Sequence, residues 1–385
     1  MNLVESKLGD RQTVFIQNII TPYRTRLFNI LAEKKFKFSV FYMSKTEADR
    51  NWNVDDIDIQ HNFWLDKYGL YIKFVRYHLH FNPILVFKVL FDSKYKNIIL
   101  GVSYNDINIV LLALLKKIHL LDKKCFFWAE ANYLTLGARK DSLLKKILRR
   151  FVFSCVDGAL IVPGKMSEIT FEKWGIKSNK FIRLPNTISD GELSLKPELK
   201  NKKNLPVFFM PIRLIESIKG AINFFEAIGS QNIIKCLFFI AGDGKDKDLY
   251  RKYIEEHNYT DNIKLLGFCN AKKMEELYNT ANVFVLPSFS DPSPLSMVEA
   301  LKTRLPILCS THCGNHFEVV KDCINGCCFN PLDHADIRLK FEWMMNNVNS
   351  WEKMGNYSYE IYQEIYRTEN VAENFIKEFN LIASN

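Results

Sequence analysis

The sequence lacks the features of membrane-spanning and secreted chains. No run of about 18 uncharged apolar residues occurs, so no segment is expected to cross a bilayer. The most apolar segment, residues 107–121, is interrupted by Lys116 and Lys117, which favours a buried helix. Residues 1–10 are mixed in character and contain acidic side chains, unlike a secretory signal. We therefore expect a cytoplasmic protein.

The sequence also gives little indication of a metal site or of disulfide bonds. The nine cysteines are odd in number and several lie in apolar runs, which favours free thiols in a reducing compartment. Cys309, Cys313, Cys323 and Cys327 allow a zinc hypothesis by their spacing, but the tight Cys-x-x-Cys pairs of structural zinc sites are missing. No Asp-x-Asp pair follows a predicted strand beside another ligand. The sequence therefore predicts no metal site.

Apolar and charged residues are both plentiful. Hydrophobic residues make up 48% of the 385 residues, which is enough for the cores of two α/β domains. The formal net charge of +9 indicates an anionic partner, such as a nucleotide phosphate, a lipid headgroup or a nucleic acid. The aromatic residues are spread through apolar runs rather than interleaved with a basic stripe, so nucleic acid is not the expected partner.

Strand and helix patterns alternate along the chain and predict parallel α/β layers. Strands are predicted at residues 13–20, 38–43, 97–102, 125–129 and 158–162, and again at 207–210, 235–241, 262–266, 283–287 and 306–310. The polar and charged residues 188–204 separate the two series and are typical of a linker. We therefore predict an N-terminal domain over residues 1–187, a C-terminal domain over 205–355, and terminal helices over 356–385 that pack back toward the N-terminal domain.

The C-terminal half contains a basic pair after its first predicted strand. Arg213 and Lys219 lie on the segment that leads from this strand to a helix, where both side chains can reach one anion. A guanidinium supplies a planar fork of donors and an ammonium supplies a mobile charge, which together suit a diphosphate. Taken alone, the pair is more readily interpreted as two solvated surface cations.

Two further motifs follow in a definite order. The turn AGDG contains Gly242 and Gly244 after an apolar strand, and glycine at such a position lets a ligand approach the backbone closely. A helix is then predicted to begin between Asp291 and Glu299, where its free N–H groups can receive phosphate. A simple tight turn, a capping aspartate and an exposed helix glutamate are the alternatives for these residues.

In this order the motifs resemble the C-terminal domain of the family four (group 1) glycosyltransferases, which are retaining enzymes of the GT-B fold. The basic pair, the AGDG turn and the two acids match the family's basic pair, its AGxG turn and its Glu-x7-Glu motif. The segment GNHFE, residues 314–318, resembles its Gly-Gly-x-x-Glu segment. The resemblance covers about residues 205–335. It implies a GT-B fold, in which two Rossmann-like, doubly wound domains face a central cleft.

Two departures from the family pattern concern the acid motif. Asp291 is one methylene shorter than the usual glutamate, and Pro292 and Pro294 stand where glycines are common. Because proline has no N–H group, phosphate binding at this helix would depend on Leu295 and Ser296.

The N-terminal half is similar to the acceptor domain of the same family. Residues 20–31, ITPYRTRLFNIL, resemble a Pro-Tyr-Arg loop that opens the first helix. Residues 127–130, FWAE, resemble a Trp-x-Glu element at a strand end, which makes Glu130 a candidate cleft residue. A surface carboxylate is the alternative for Glu130. Residues 184–186, LPN, resemble the family's hinge.

The resemblance also implies an activity. The protein would be a metal-independent, retaining hexosyltransferase without a cofactor, which moves a sugar from a UDP- or GDP-sugar to a glycan or lipid-linked acceptor. Lipopolysaccharide or capsule synthesis in a bacterium is the implied setting. The implied catalytic residues are Arg213, Lys219, Asp291 and Glu130. The residues implied to surround the donor are Gly242, Gly244, Pro294, Leu295, Ser296 and Glu299.

Two other classes stay open from the sequence alone. One is a different GT-B enzyme, such as a nucleotide-sugar epimerase or a phosphorylase. The other is a non-catalytic relative that binds a nucleotide or a glycan, which the shortened acid Asp291 and the two prolines favour. The product formed from a nucleotide sugar and an acceptor distinguishes these classes.

A short basic amphipathic segment raises the question of membrane contact. Residues 143–151, LLKKILRRF, combine apolar and basic side chains, and Arg139 and Lys140 lie nearby. Such a face suits peripheral contact with the inner face of the plasma membrane, where members of this family meet lipid-linked acceptors. An ordinary solvated helix with its apolar side in the core is the alternative.

Overall fold

The computed structural model describes residues 12–48, 53–73, 78–135, 142–176, 180–188 and 205–383. The predicted linker lies outside these residues except for Ile188, and so do Arg139 and Lys140. The described chain forms two large parallel sheets and one small hairpin. The predicted α/β class is therefore confirmed.

The first sheet is built from strands β1 (Gln12–Gln17), β2 (Phe38–Tyr42), β3 (Phe63–Leu65), β6 (Tyr95–Leu100), β7 (Lys124–Trp128), β8 (Leu160–Val162) and β9 (Phe181–Arg183). A separate antiparallel hairpin consists of β4 (Leu70–Lys73) and β5 (His78–Phe81). The helices of this half are α1 (Pro22–Glu33), α2 (Pro83–Phe91), α3 (Ile107–Lys117), α4 (Leu143–Phe153) and α5 (Lys165–Lys173). The strand order is β3-β2-β1-β6-β7-β8-β9, with every pair parallel.

The second sheet has six parallel strands, β10 (Val207–Pro211), β11 (Leu237–Ala241), β12 (Ile263–Gly267), β13 (Val283–Leu286), β14 (Ile307–Ser310) and β15 (Gly326–Phe329). Its order is β12-β11-β10-β13-β14-β15. The helices around it are α6 (Glu216–Lys219), α7 (Ala221–Ile228), α8 (Ser230–Ile233), α9 (Lys247–Glu256), α10 (Ala271–Thr280), α11 (Leu295–Lys302), α12 (His316–Val319), α13 (His334–Asn346) and α14 (Trp351–Ile361). Each sheet is doubly wound, because its order reverses direction once.

Burial explains why the strands are continuous apolar runs. β2 and β13 are buried along their whole length, as expected for strands that are covered by helices on both faces. Aromatic rings fill much of both cores, and Phe208 packs 5.3 Å from Phe238 and 5.2 Å from Phe341.

The last helix, α15 (Thr368–Ala383), packs against the first half of the chain. Phe379 lies 4.7 Å from Phe126, and Phe375 lies 6.2 Å from Phe15, measured between ring centroids. α15 also contacts α1 and β9. The core of the first domain therefore contains residues from both ends of the chain.

The segment between β2 and β6 holds elements that the sequence did not predict. The hairpin of β4 and β5 is short and partly exposed, so its alternation is weak. α2 is apolar nearly throughout, which hides its helical period, although Pro83 at its first turn is a start signal. Elsewhere the predicted strands differ from the observed ones by a few residues at their ends.

Candidate active site

The direction of winding reverses in the second sheet between β10 and β13. Loops that leave the carboxyl ends of two such strands diverge and leave a crevice, which is the usual ligand site of an open α/β sheet. The chain after β10 carries the predicted basic pair, and the chain after β13 carries Asp291. The topology therefore brings the motifs together, although they are far apart in sequence.

Lys219 and Asp291 form an ion pair at this crevice. The Lys219 Nζ lies 2.5 Å from Asp291 Oδ2, and only 12% and 14% of the two side chains are exposed. The loop after β13 is fastened to α6, because the N–H groups of Phe289 and Ser290 both donate to the carbonyl of Ile218. The ammonium group is thereby held at the crevice rather than extended into solvent.

Gly220 allows the loop after β13 to lie close to α6. It has a φ of 61°, and a Cβ at this position would lie 2.9 Å from the Phe289 ring and 3.0 Å from the Pro287 carbonyl oxygen. A glycine is therefore needed immediately after Lys219, both for the left-handed backbone and for the space.

Arg213 and the AGDG turn lie side by side. The Leu214 N–H donates to the Asp243 carbonyl over 3.1 Å, and a Cβ on Gly244 would lie 2.4 Å from the Leu214 carbonyl oxygen. Arg213 is exposed, and its side chain forms no ion pair with any residue in the described part of the chain. Its guanidinium is thus available to an anion bound near the turn.

The helix that carries Glu299 begins beside the Lys219–Asp291 pair. α11 starts at Leu295, so the N–H groups of Leu295 and Ser296 have no acceptor within the helix. Pro294 is the N-cap residue of the helix, and its carbonyl oxygen accepts a hydrogen bond from the side chain of Asn315 over 3.1 Å. Pro294 can therefore shape this end of the helix, whereas donation to a phosphate falls to the next two residues.

Glu299 is held from outside its own helix. The hydroxyl of Tyr278 on α10 donates to Glu299 Oε2 over 2.6 Å. Burial, and next the Glu299 charge, raise the pKa of Tyr278 well above its ordinary value, so the phenol keeps its proton and acts as the donor. This contact fixes the Glu299 carboxylate on the first turns of α11, the helix that begins at the crevice.

The GNHFE segment contributes to two different places. Gly314 lies against the acid loop, because its N–H donates to the Asp291 carbonyl over 2.9 Å and a Cβ would lie 1.7 Å from the Pro292 carbonyl oxygen. Glu318 instead reaches the N-terminal domain, where it accepts from the Lys165 N–H over 2.7 Å and from Arg183 over 3.0 Å. Burial raises the pKa of the Glu318 carboxyl.

A cavity of about 860 Å³ faces the cleft from the N-terminal domain. It lies at the carboxyl ends of β1, β6 and β7 and is lined by a mixture of aromatic and polar side chains. These include Tyr23, Arg24, Glu47, His80, Tyr104, Trp128, Glu130 and Trp174. Such a lining suits a sugar, whose apolar faces stack on rings and whose hydroxyls need polar partners.

Glu130 lies in this cavity with its carboxylate already engaged. It accepts from Arg24 and from Asn186, each over 3.0 Å. The Arg24 guanidinium lies 4.5 Å above the Trp128 ring and also contacts the Gly101 carbonyl. Arg24 therefore joins the ends of β1, β6 and β7, and Glu130 holds Arg24 in place.

One group of possible metal ligands occurs among the described residues, and it is remote from the cleft. Asp322, Cys323 and Cys327 place their ligand atoms within 4.8 Å of one another. They lie at the amino end of β15, and Lys340 is already 3.5 Å from the Asp322 carboxylate. All nine cysteines are free thiols.

A family model described as "Glycosyl transferases group 1" matches residues 193–361, which contain the basic pair, the AGDG turn and both acids. Residues 193–361 therefore match the group 1 glycosyltransferases. The predicted resemblance to this family is thus confirmed for that part of the chain.

Two relatives illustrate where this chain lies among known sequences. It is 31% identical over 188 residues to the UDP-Gal:alpha-D-GlcNAc-diphosphoundecaprenol alpha-1,3-galactosyltransferase of Escherichia coli. The matched region covers 45% of this chain and 48% of that protein. The chain is 26% identical over 214 residues to a diNAcBac-PP-undecaprenol-linked alpha-1,4-N-acetyl-D-galactosaminyltransferase of Campylobacter jejuni, which covers 55% and 56%. The matches span about half the length of these curated relatives.

Solved structures match over nearly the whole chain. Sucrose-phosphate synthase from Thermosynechococcus elongatus has a TM-score of 0.74 at 15% identity and covers 97% of this chain and 100% of its own. Anabaena HepE, solved with UDP and glucose, has a TM-score of 0.70 at 14% identity and covers 95% and 98%. These likenesses confirm the predicted GT-B fold.

Several residues of the site were not predicted. Arg24, Tyr278 and Asn315 each hold or shape a predicted site residue, and Asn132 contacts the acid loop from the other domain. For Arg24, the Pro-Tyr-Arg loop was the available signal. Asn315 lies within the GNHFE segment, but its role was not predicted. Tyr278 and Asn132 lie in segments without a motif, so only the folded arrangement reveals them.

Proposed function

We propose that this protein is a retaining glycosyltransferase that moves a sugar from a nucleoside diphosphate sugar to a glycan or lipid-linked acceptor. The observation that carries the proposal is the Lys219–Asp291 pair beside the start of α11, with the exposed Arg213 on the adjacent loop. This places two cations and a helix amino end around one crevice, which suits a diphosphate leaving group.

Each residue then has a distinct part in the reaction. Arg213 and Lys219 stabilise the negative charge that grows on the diphosphate as the bond to the sugar breaks, and the N–H groups of Leu295 and Ser296 add donors. Glu299, fixed by Tyr278, accepts the ribose hydroxyls. Asp291 keeps the ammonium of Lys219 in place and can accept a hydroxyl of the transferred sugar.

Retention and metal independence form part of the same proposal. The acceptor hydroxyl attacks from the face that the diphosphate leaves, and the leaving phosphate oxygen takes its proton, so no covalent intermediate with the enzyme is required. The two cationic side chains supply the charge that a divalent ion supplies in other transferases. Domain closure excludes water, so the sugar goes to the acceptor rather than to hydrolysis.

The relatives support the proposed substrates. The names of the Escherichia coli and Campylobacter jejuni proteins specify acceptors that carry a sugar on diphosphoundecaprenol. HepE was solved with UDP, which favours a UDP-sugar over a GDP-sugar as the first donor to test. We accordingly propose a role in bacterial surface polysaccharide synthesis, with the acceptor sugar in the N-terminal cavity and the nucleotide in the C-terminal crevice.

A two-stage experiment tests the function. UDP- and GDP-sugars are first screened for thermal stabilisation of the protein, because a ligand that binds only the folded state raises Tm. Stabilising donors are then incubated with undecaprenyl-diphosphate sugars in the presence of EDTA. We expect a glycosylated lipid with the anomeric configuration of the donor. A free epimerised nucleotide sugar, or binding without any product, would instead support one of the alternative classes.

We also propose that α4 meets an anionic membrane surface. Leu143, Leu144 and Ile147 are 74%, 76% and 57% exposed, so the apolar side of this part of the helix faces outward. The core is contacted by Val152 and Phe153 at the other end of α4. Because a helix that follows a parallel strand begins at the carboxyl edge of the sheet, these exposed side chains lie on the same edge as the cavity.

The neighbouring helices also expose apolar side chains at this edge, where they begin. Ile107 on α3 and Ile84 on α2 are 38% and 43% exposed, and α3 packs against both α2 and α4. On α4, Lys145 and Lys146 lie between the exposed Leu144 and Ile147 in the sequence, and this combination suits anionic headgroups above an apolar boundary. Among the described residues, none of the helices is long and apolar enough to cross a membrane.

Replacing Leu143, Leu144 and Ile147 by serine should weaken binding to phosphatidylglycerol vesicles by roughly one to two orders of magnitude, because less apolar surface can enter the boundary region. Sedimentation with vesicles at low salt measures this. Leu339, which is 62% exposed on α13, provides the matched control, and Leu339→Ser should bind as the unchanged protein does. Equal binding of the triple variant, or no binding of the unchanged protein, would refute the proposed contact.

A further inference from the structure

One side chain of the N-terminal domain reaches the acid loop of the C-terminal domain. Asn132 follows β7, and its Nδ2 donates to the Asp291 carbonyl over 3.2 Å and to the His312 carbonyl over 3.0 Å. Asn132 is only 3% exposed. Both protons of one amide group are therefore used on the opposite domain, at the edge of the proposed donor site.

The Asn132 amide is fixed by its own domain. Its Oδ1 accepts from the Leu134 N–H over 2.9 Å, so the amide cannot turn without losing that bond. The surrounding loop is fastened to α5, because Ser167 donates to the Ala131 carbonyl and the Tyr133 N–H donates to Thr170. The two donor protons are thus directed by a rigid support rather than by a mobile loop.

The two acceptors belong to loops that position Lys219. The Asp291 carbonyl also receives the Gly314 N–H, which joins the acid loop to the segment of His312. The His312 ring contacts the Phe289 carbonyl over 3.0 Å. The side chain of Asp291 in turn holds the ammonium of Lys219. A continuous set of contacts therefore runs from Asn132, through the Asp291 backbone, to the proposed diphosphate-binding lysine.

We propose that Asn132 is a positioning residue that completes the donor site only when the two domains are closed. In an open cleft the Asp291 and His312 carbonyls lose their donors from the N-terminal domain, and the acid loop that holds Lys219 is less constrained. Closure restores both hydrogen bonds and fixes the ammonium where charge develops. This inference rests on the proposed glycosyltransferase function, and it links catalytic competence to the position of the acceptor domain.

Asn132→Asp tests the role of the two protons. The carboxylate has nearly the same shape but presents negative charge to two carbonyl oxygens, so kcat should fall roughly 10- to 100-fold at neutral pH. UDP affinity, measured by calorimetry, should change little, because the nucleotide-binding groups lie on the other domain. Since a protonated carboxyl can donate one hydrogen bond, activity relative to the unchanged protein should rise as pH is lowered. Asn132→Ala should show a loss that does not depend on pH in this way.

Asn347→Asp is the matched control. Asn347 also donates its Nδ2 to a carbonyl, that of Trp343 over 2.8 Å, but at the end of α13. It should leave kcat and its pH profile unchanged. If Asn132→Asp retains full kcat, or loses activity equally at every pH, the positioning role is wrong.

Small-angle scattering with UDP separates this inference from the proposed function. The unchanged protein should become more compact on nucleotide binding, and Asn132→Asp should become less so. If the unchanged protein transfers no sugar, the proposed function fails, and the scattering comparison still decides whether Asn132 stabilises the closed state. Equal compaction of both proteins would overturn the inference.

Discussion

Replacing Lys219 by alanine should lower kcat by roughly 10²–10³-fold, the usual consequence of removing one preorganised group that stabilises charge in a transition state. The ammonium lies 2.5 Å from Asp291 and is held at the crevice, so it needs little reorganisation when a diphosphate departs. The fold should survive, because α6 is a short helix without buried residues, and its backbone groups and the Glu216 side chain still hold it in place. Initial rates at saturating donor, with circular dichroism of the same sample, provide the measurement.

Two further variants make the result interpretable. Lys252→Ala removes a lysine that is 71% exposed on α9, and it should keep full activity. Arg213→Ala should also cut turnover by orders of magnitude while leaving stability unchanged, because Arg213 is exposed. Rates equal to those of the unchanged enzyme in both Lys219→Ala and Arg213→Ala would remove the assignment of this crevice to the diphosphate.

Gly242→Ala should destabilise the C-terminal domain and abolish donor binding. Gly242 has a φ of 142°, and a Cβ there would lie 2.0 Å from the Ile212 carbonyl oxygen. The backbone strain alone costs about 1–3 kcal/mol. The overlap with a main-chain atom adds to this cost, because that atom cannot rotate away. Relief requires the Ile212 segment to move, which displaces Arg213. Thermal unfolding and the Kd for UDP measure the two effects.

Gly229→Ala separates strain from overlap. Gly229 also has a positive φ, 76°, but no atom lies within 4 Å of the position of its Cβ. We expect a smaller loss of Tm there and normal donor binding. If the two alanine variants lose the same stability and both bind UDP, the close approach of the AGDG turn to the Ile212 segment is not important for the site.

Much of the fold could be predicted because strand and helix patterns alternate along the sequence and the strands are buried apolar runs. In parallel sheets covered on both faces, strands such as β11 and β13 are apolar runs followed by turn residues, and these are visible without a structure. The hairpin of β4 and β5 was missed because it is not covered by helices on both faces, so its strands are not continuous apolar runs. Its stability depends on side chains such as His80, which pairs with the buried Glu47.

The candidate site was predictable where a motif lies on one loop. Arg213, Lys219 and the AGDG turn each follow a strand, so their positions at a sheet edge could be expected. The partners of these residues come from distant segments, as Tyr278 does for Glu299 and Arg24 does for Glu130. Such pairs depend on the register of neighbouring strands and on domain packing, which no local pattern in one sequence specifies.

The packing of α15 has a consequence for how the chain is made. Phe375 and Phe379 complete the core around Phe15 and Phe126, yet they are synthesised after every strand of the second sheet. During translation the first domain emerges first, and part of its apolar surface stays uncovered until α15 is made. All strands of the second domain have been synthesised by then. The core of the first domain is therefore completed only after the second domain has been synthesised, so the order of maturation is the reverse of the order of synthesis.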